Sequence, residues 1–466
     1  MLTNQPSSRS SRLALLIGLA GVAIGIAVGF GAGVKPVYVG LLLGALPIIF
    51  LFFAYFKQAV IVLLVVRTSL DSFSAQQLPS VYTLAIDALT LLYVVVMLLT
   101  GRRIHTDRFW WFFAVWVMLQ TLWLILMPLG GLGLDASLLP LGIREWVRRF
   151  SFLMIYLLVM QLKDHYHPQR VVSLLLLSLV TPVSIGITQI PSGQRVESTL
   201  GHPNALATYL SLMMAFVWWK LNWAQRRLPW IVLLSILTLV YVSTRSLAAL
   251  ITLVVLIFVL NASKLNPLKI IGAVVLCLIV LALFASTEAG QARLLQLTQT
   301  PLLNPDIDVS RTMILATEDG NSFNWRVTHW YYLLQSWQKS PILGYGIGTG
   351  QYLSPLKGPD GNGYAPHNDY IRFLVEQGLV GFALFIAFLS AQFIHLWGIV
   401  RRAPPNSAER QLSLILLGFL ISTLVNMLSN NVLDNGDFWF YWWAVFAVAG
   451  WGTDRFTNHP EAIQKE

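Results

Sequence analysis

His367 stands in the run Pro366-His367-Asn368-Asp369, at the start of a long apolar stretch. A neutral imidazole with an ordinary pKa near 6.5 accepts a proton from a hydroxyl, so a histidine there fits general base chemistry; a lone histidine is equally at home as a structural residue. Asn368 or Asp369 is placed to cap the helix that follows, and Glu376, deeper in the same run, must face the protein interior and find a partner. In Phe323–Lys339 a helical projection gathers Arg326, His329, Trp330, Leu333 and Trp337 on one side and Thr328, Tyr331, Gln335 and Lys339 on the other. Arg326 on that apolar face either snorkels to water along a membrane surface or turns inward, where its forked donors suit a phosphate. Arg245, in Ser243-Thr244-Arg245-Ser246, has the same two readings, and Arg195, in Ser192–Glu197, is a third candidate anion contact.

The elements that must position these residues are membrane helices. Hydrophobic residues make up 56% of the chain and charged residues 11%, against roughly 45–50% and about 25% in soluble domains. Apolar runs of bilayer-spanning length predict an all-α integral membrane bundle of about 12–14 crossings, near 13–34, 37–55, 58–70, 82–99, 108–127, 146–162, 170–189, 204–220, 228–244, 246–262, 268–286, 371–398, 411–428 and 437–451. The stretch 228–262 is too long for one crossing and must fold back, most naturally at Ser243–Ser246. Between the crossings that end near Ser286 and begin near Ile371 lies one large, helix-containing loop, far longer than an ordinary connection. Three parts follow: residues 1–285 as N-terminal membrane helices, 286–370 as the extracytoplasmic loop, and 371–466 as C-terminal helices with a cytoplasmic tail.

The formal charge of +10 does not mark a nucleic-acid binder, because Lys and Arg punctuate the gaps between apolar runs instead of clustering. Placing Lys57, Arg102, Arg103, Arg226, Arg227, Arg401 and Arg402 inside by the positive-inside rule puts both termini in the cytoplasm and the large loop outside. The N-terminal stretch with Arg9 and Arg12 is expected to be a retained first helix, since its apolar run is too long for a cleaved signal. Cys277 is the single cysteine, so neither a disulfide nor a cysteine metal cluster forms within one chain. Gly344, Gly346, Gly348 and Gly350 lack the strand and helix start of a dinucleotide fingerprint and read as a tight turn near the membrane.

Taken together, Arg326 with Trp330, Pro341-Ile342-Leu343-Gly344-Tyr345-Gly346, His367-Asn368-Asp369-Tyr370-Ile371 and Glu376-Gln377-Gly378-Leu379-Val380-Gly381 resemble the O-antigen ligase/polymerase family of bacterial envelope enzymes. Gly201-His202-Pro203-Asn204 and Ser243–Ser246 fit the same pattern, although His202 has no assigned role. The resemblance implies a GT-C-like glycosyltransferase of the cytoplasmic (inner) membrane with its active site on the periplasmic face. The donor would be a glycan on a polyprenyl (undecaprenyl) diphosphate, and the acceptor another glycan or the lipid A core. Under it His367 is the catalytic base, Arg245 and Arg326 hold the diphosphate, Arg195 assists, and Asn368, Asp369 and Glu376 support them. No cofactor is implied. No Asp-x-Asp pair lies near these residues, which points to a metal-independent transferase, with Asp434 and Asp437 leaving a metal open. The rival from another class is a transporter of an anion or a lipid-linked glycan, for which internal repeats and midplane charges would be expected.

The orientation is tested by cysteine labelling. A cysteine placed near Asn304 is expected to react with a membrane-impermeant thiol reagent in intact spheroplasts; labelling at Arg402→Cys instead would invert the topology.

Overall fold

The computed structural model describes residues 36–128, 136–261, 322–357 and 363–451 without a break, and the stretch 271–312 in part. The described chain is helical: α1 (Pro36–Ala54), α2 (Phe56–Val66), α3 (Leu78–Leu99), α4 (Arg108–Leu126), α5 (Leu139–Met160), α6 (Pro168–Leu175), α7 (Val180–Gln189), α8 (Pro203–Trp223), α9 (Leu228–Ser243), α10 (Leu247–Asn261), α11 (Glu288–Thr298), α12 (Ser322–Lys339), α13 (Asp369–Arg402), α14 (Ala408–Asn426) and α15 (Gly436–Gly450). Six stretches among the described residues are long and apolar enough to cross a membrane: Phe56–Gln76, Leu78–Leu99, Arg108–Leu126, Pro168–Ser192, Asp369–Arg402 and Ala408–Asn426. This is a multispanning helical membrane protein. The first expected crossing, the cytoplasmic tail beyond Trp451 and Cys277 lie outside the described residues.

The core forms around α15, where every residue from Phe438 to Gly450 is buried. A helix that is apolar all round has no face to give to water or lipid and belongs in the middle of a bundle. Helices α5, α6, α8, α13 and α14 pack against it. At its head Trp439 donates its indole N–H to the Val432 carbonyl at 2.9 Å, and lower down Trp442 donates to Gln392 Oε1 at 3.2 Å. A polar side chain of α13 is thereby satisfied within the apolar interior.

The fold-back expected at Ser243–Ser246 is present. Helix α9 stops at Ser243, Arg245 takes a left-handed φ of +50°, and α10 starts at Leu247. The first half, α9, packs mainly on α8, whereas α10 packs mainly on α14 and also touches α8.

One expectation needs correction. The crossing 371–398 is not a continuous helix: α13 breaks at Gly378, with φ +64° and ψ −166°. In an unbroken helix the amides of Leu379 and Val380 would bond the carbonyls of Val375 and Glu376. Here all four groups find partners in the glycine turn of the large loop. Leu379 N–H donates to the Pro341 carbonyl (2.8 Å) and Val380 N–H to that of Ile342 (3.1 Å), while the Val375 carbonyl accepts from Tyr345 (3.2 Å) and the Glu376 carbonyl from Gly346 (2.7 Å). Broken backbone at membrane depth is tolerated only where the protein re-satisfies it.

The fit leaves no room for side chains at two positions. A Cβ on Gly344 would lie 2.5 Å from the Glu376 carbonyl carbon, and one on Gly378 would lie 2.2 Å from the Ile342 oxygen. Trp123 of α4 fixes the turn from the other side, its indole donating to the Leu343 carbonyl at 2.7 Å.

Gly378→Ala is expected to lower the thermal midpoint of the purified protein. Backbone strain at positive φ alone costs roughly 1–3 kcal/mol, before the clash with Ile342 is added. Gly44→Ala, which meets nothing within 4 Å, is the control and should leave the midpoint unchanged.

Candidate functional site

Three groups of residues converge around His367. The imidazole sits at the entrance to α13 on a residue with φ +50°, a left-handed conformation unusual for a side-chain-bearing residue. The backbone N–H of His367 donates to Asn431 Oδ1 at 2.6 Å. Asn368 is the cap, its Oδ1 accepting from the amides of Tyr370 and Ile371 at 3.0 Å each. Asp369 instead reaches across to a neighbouring turn, where its Oδ2 accepts from Val432 N–H (2.8 Å) and Leu433 N–H (3.2 Å). Residues 367–369 are thereby fastened to the turn between α14 and α15, and the strained backbone at His367 is held from both sides.

The first group comes from α12. Trp325 meets the His367 ring edge-on at 5.1 Å, meets Tyr364 edge-on at 4.5 Å, and stacks on His329 at 5.3 Å. The Arg326 guanidinium lies 6.0 Å from the Trp325 ring. Trp330 donates its indole N–H to the Pro366 carbonyl at 2.7 Å, tying the helix to the residue before the histidine. The projection of α12 holds for His329 and Leu333, both buried, but Thr328 is buried as well, so the inward face is wider than its apolar residues suggest. Trp325 and His329 stand beside His367 although neither was a candidate from the sequence.

Burial and then the Arg326 charge push the His367 pKa down to about 4, with His329 and His202 acting in the same direction and Asp434 against them. Burial likewise brings His329 to about 4. Both imidazoles are therefore neutral at physiological pH.

The second group is upstream. His202 caps α8 through Nδ1, which accepts from Asn204 N–H at 3.2 Å, and burial followed by the Arg195 charge lowers its pKa. Asn204 Oδ1 accepts from Arg195 Nη2 (3.2 Å) and from Ser246 Oγ (2.8 Å), and Arg195 Nε donates to the Thr244 carbonyl at 3.1 Å. The three upstream segments thus form one unit, and its histidine is close enough to act on His367. Arg195 and Arg245 are both exposed there, with Arg195 serving as the clamp and Arg245 at the tip of the turn.

The third group is a charge network that runs from the buried Arg372 and Glu376 to Asp434, whose side chain is 37% exposed. Arg372 of α13 bonds Asp434 at 2.6 Å, Glu145 at 3.1 Å and Glu376 at 3.3 Å. Arg148 of α5 bonds Glu145 and Asp434, each at 3.0 Å. Glu376 also accepts from the amides of Gly348 (2.9 Å) and Gly350 (3.1 Å), so the partner it had to find is both an arginine and the glycine turn. Burial alone would raise the Asp434 carboxyl, but Arg372 and Arg148 outweigh it and hold the pKa below the ordinary carboxylate range. Asp437 is paired with Arg67 at 3.0 Å. The sequence did carry a signal for this network, an Arg-Glu-x-x-Arg-Arg run at 144–149 and an i,i+4 pair at Arg372 and Glu376.

Since the folded pKa of His329 lies below its ordinary 6.5, the protein binds fewer protons there than the unfolded chain does. Its stabilising contribution is complete above pH 6.5 and is lost as pH falls toward 4. The thermal midpoint is therefore expected to drop over that window, and to drop less in His329→Gln, as scanning fluorimetry at stepped pH would show.

A family model described as O-antigen ligase matches residues 230–386, about a third of the chain. That segment contains Arg245, Arg326, His367, Asn368, Asp369 and Glu376, whereas Arg195 and His202 precede it. Among curated proteins none matches the chain. The segment that binds the glycine turn to the broken helix and carries His367 and Arg326 is thus the one that matches the O-antigen ligase family, set in a multispanning helical membrane protein.

Proposed function

We propose that this protein transfers a glycan from a polyprenyl diphosphate carrier to a hydroxyl of a cell-envelope acceptor, with the site on the periplasmic side of the inner membrane. The observation that carries this reading is the pairing of a neutral, backbone-strained His367 with the Arg326 guanidinium, inside the segment that matches the O-antigen ligase family. On this reading α12 and the glycine turn belong to the extracytoplasmic part of the chain, and the turn rests on α4 and α13.

In the reaction the acceptor oxygen attacks the anomeric carbon and the bond from that carbon to the diphosphate oxygen breaks. The hydroxyl proton passes to His367, and the negative charge that builds on the departing diphosphate is stabilised by Arg326, with Arg245 and Arg195 as further contacts. A base whose pKa is near 4 is weak, chiefly because it is buried and then because of the Arg326 charge. A diphosphate bound to Arg326 would offset the second of these, so His367 gains basicity when the donor is in place. Asp434 and Asp437 are both ion-paired with arginines, which supports a mechanism without a metal.

Transfer by purified protein, with polyprenyl diphosphate glycan and each acceptor in turn, is the deciding experiment. A ladder of products identifies a polymerase, a single shifted band a ligase, and no transfer to any acceptor removes the proposal. His367→Ala and His367→Gln should bind donor but lose roughly 10²–10⁴-fold in transfer. Near-normal transfer by the glutamine variant would move the base elsewhere. As pH falls, kcat/KM should decline near the free-enzyme value of about 4, and kcat at a higher pH that reports the donor complex.

Arg326→Lys and Arg245→Lys should each cost on the order of 2–3 kcal/mol in transition-state stabilisation, since a point charge does not reproduce a forked contact. Wild-type rates in both would return these arginines to a role at the membrane surface. Chelators should leave transfer unchanged; loss restored by magnesium or manganese would bring a metal into the mechanism.

A further inference from the structure

Beside the charge network lies a cavity of about 200 Å³ whose walls come from α5, the loop that follows the glycine turn, α13 and the turn before α15. Pro366, the residue before the histidine, forms part of the wall, as does Asp434, whose charge acts on the His367 ring. The volume is far more than a single water needs and below the roughly 300–1,000 Å³ of pockets for drug-sized ligands.

Three arginines line this space, which at first suggests an anion. The bonding argues against it. Each donor nitrogen of Arg372 is engaged with a carboxylate of Glu376, Asp434 or Glu145, and Arg148 is engaged with two of the same groups. Glu376 is further held by two backbone amides. The three carboxylates balance the charges of Arg372, Arg148 and Arg144, so an anionic ligand would have to displace carboxylates already bonded at 2.6–3.3 Å. A wall of alternating donors and acceptors without net charge is instead matched by a neutral polyhydroxyl ring, which donates to carboxylates and accepts from guanidinium and amide N–H groups.

We infer that this cavity is the subsite for an uncharged sugar unit of the acceptor, which it holds with a hydroxyl toward His367. This rests on the glycosyl-transfer reading above, in which Arg326, which does not line the cavity, takes the donor diphosphate. Arg144 and Gln351 line the cavity without belonging to the ion-pair network given above, so they are the residues to change.

Two measurements test it. In saturation-transfer NMR on the purified full-length protein, methyl glucoside, methyl galactoside and methyl mannoside are offered separately, with inorganic pyrophosphate as competitor. At least one glycoside should bind, pyrophosphate should not displace it, and Arg144→Ala and Gln351→Ala should each weaken it. In transfer assays both variants should raise acceptor KM about tenfold and leave donor KM within twofold. Displacement of a glycoside by pyrophosphate, a rise in donor KM alone, or no binding of any glycoside together with unchanged acceptor KM would overturn the assignment. Should the wild type transfer to no acceptor, the glycosyl-transfer reading fails by itself, and the NMR result still decides whether the cavity takes a sugar.

Discussion

The architecture of the site depends on one exchange of backbone hydrogen bonds. Helix α13 surrenders two of its own bonds at Gly378, and the glycine turn at Pro341–Gly346 replaces both. In a membrane protein an unpartnered amide or carbonyl at that depth costs several kcal/mol, so break and turn are stable only together. The large loop is thus locked into the bundle, and α12, a few residues upstream of the turn, inherits its position from that lock. Arg326 and Trp325 reach His367 because Gly344 and Gly378 let two backbones approach where a methyl group would collide.

The buried charges serve the same end by a different route. Isolated, the buried Arg372 or Glu376 would carry a heavy desolvation penalty in the protein interior, whereas Asp434 keeps contact with solvent. Linked, they tie α5, α13, the glycine turn and the approach to α15 at one point. Removing a single partner would strand a charge, so the network makes the relative placement of four elements all or none. His367 feels both this network, through Asp434, and the arginine of α12, although burial is the largest influence on its protonation.

Much of this was legible in the sequence. The membrane class follows from apolar run lengths, and the fold-back at Ser243–Ser246 from a stretch too long to cross once. The candidates His367, Asn368, Asp369 and Glu376 lie in one short run, and Arg326 was picked out separately by its place on an apolar helix face. The interlock was not legible, because Pro341–Gly346 and Gly378 lie more than thirty residues apart and nothing in either segment names the other: a glycine in an apolar run reads as a small residue in a helix. The aromatic contact of Trp325 was missed for a similar reason, since helical projection ranks faces by apolarity, and the inward face of α12 also buries Asn324 and Thr328. Arg148 and Arg372 each have a local partner, Glu145 and Glu376, but the bonds through Asp434 and from Arg372 to Glu145 join segments far apart in the chain.

The enclosure of α15 bears on how the protein is made. Every helix seen to cover it precedes it in the chain, so those helices enter the membrane before the segment that fills their centre exists. During synthesis they must wait as an incomplete ring around a vacancy that lipid or other protein occupies for a time. The turn that supplies Asn431 and Asp434 to the histidine lies immediately before α15, so the final insertion step also completes the surroundings of the site. A nascent chain stalled short of Gly436 would hold His367 and Arg326 in the membrane without the frame that aligns them, and biogenesis itself would keep the unfinished protein inactive.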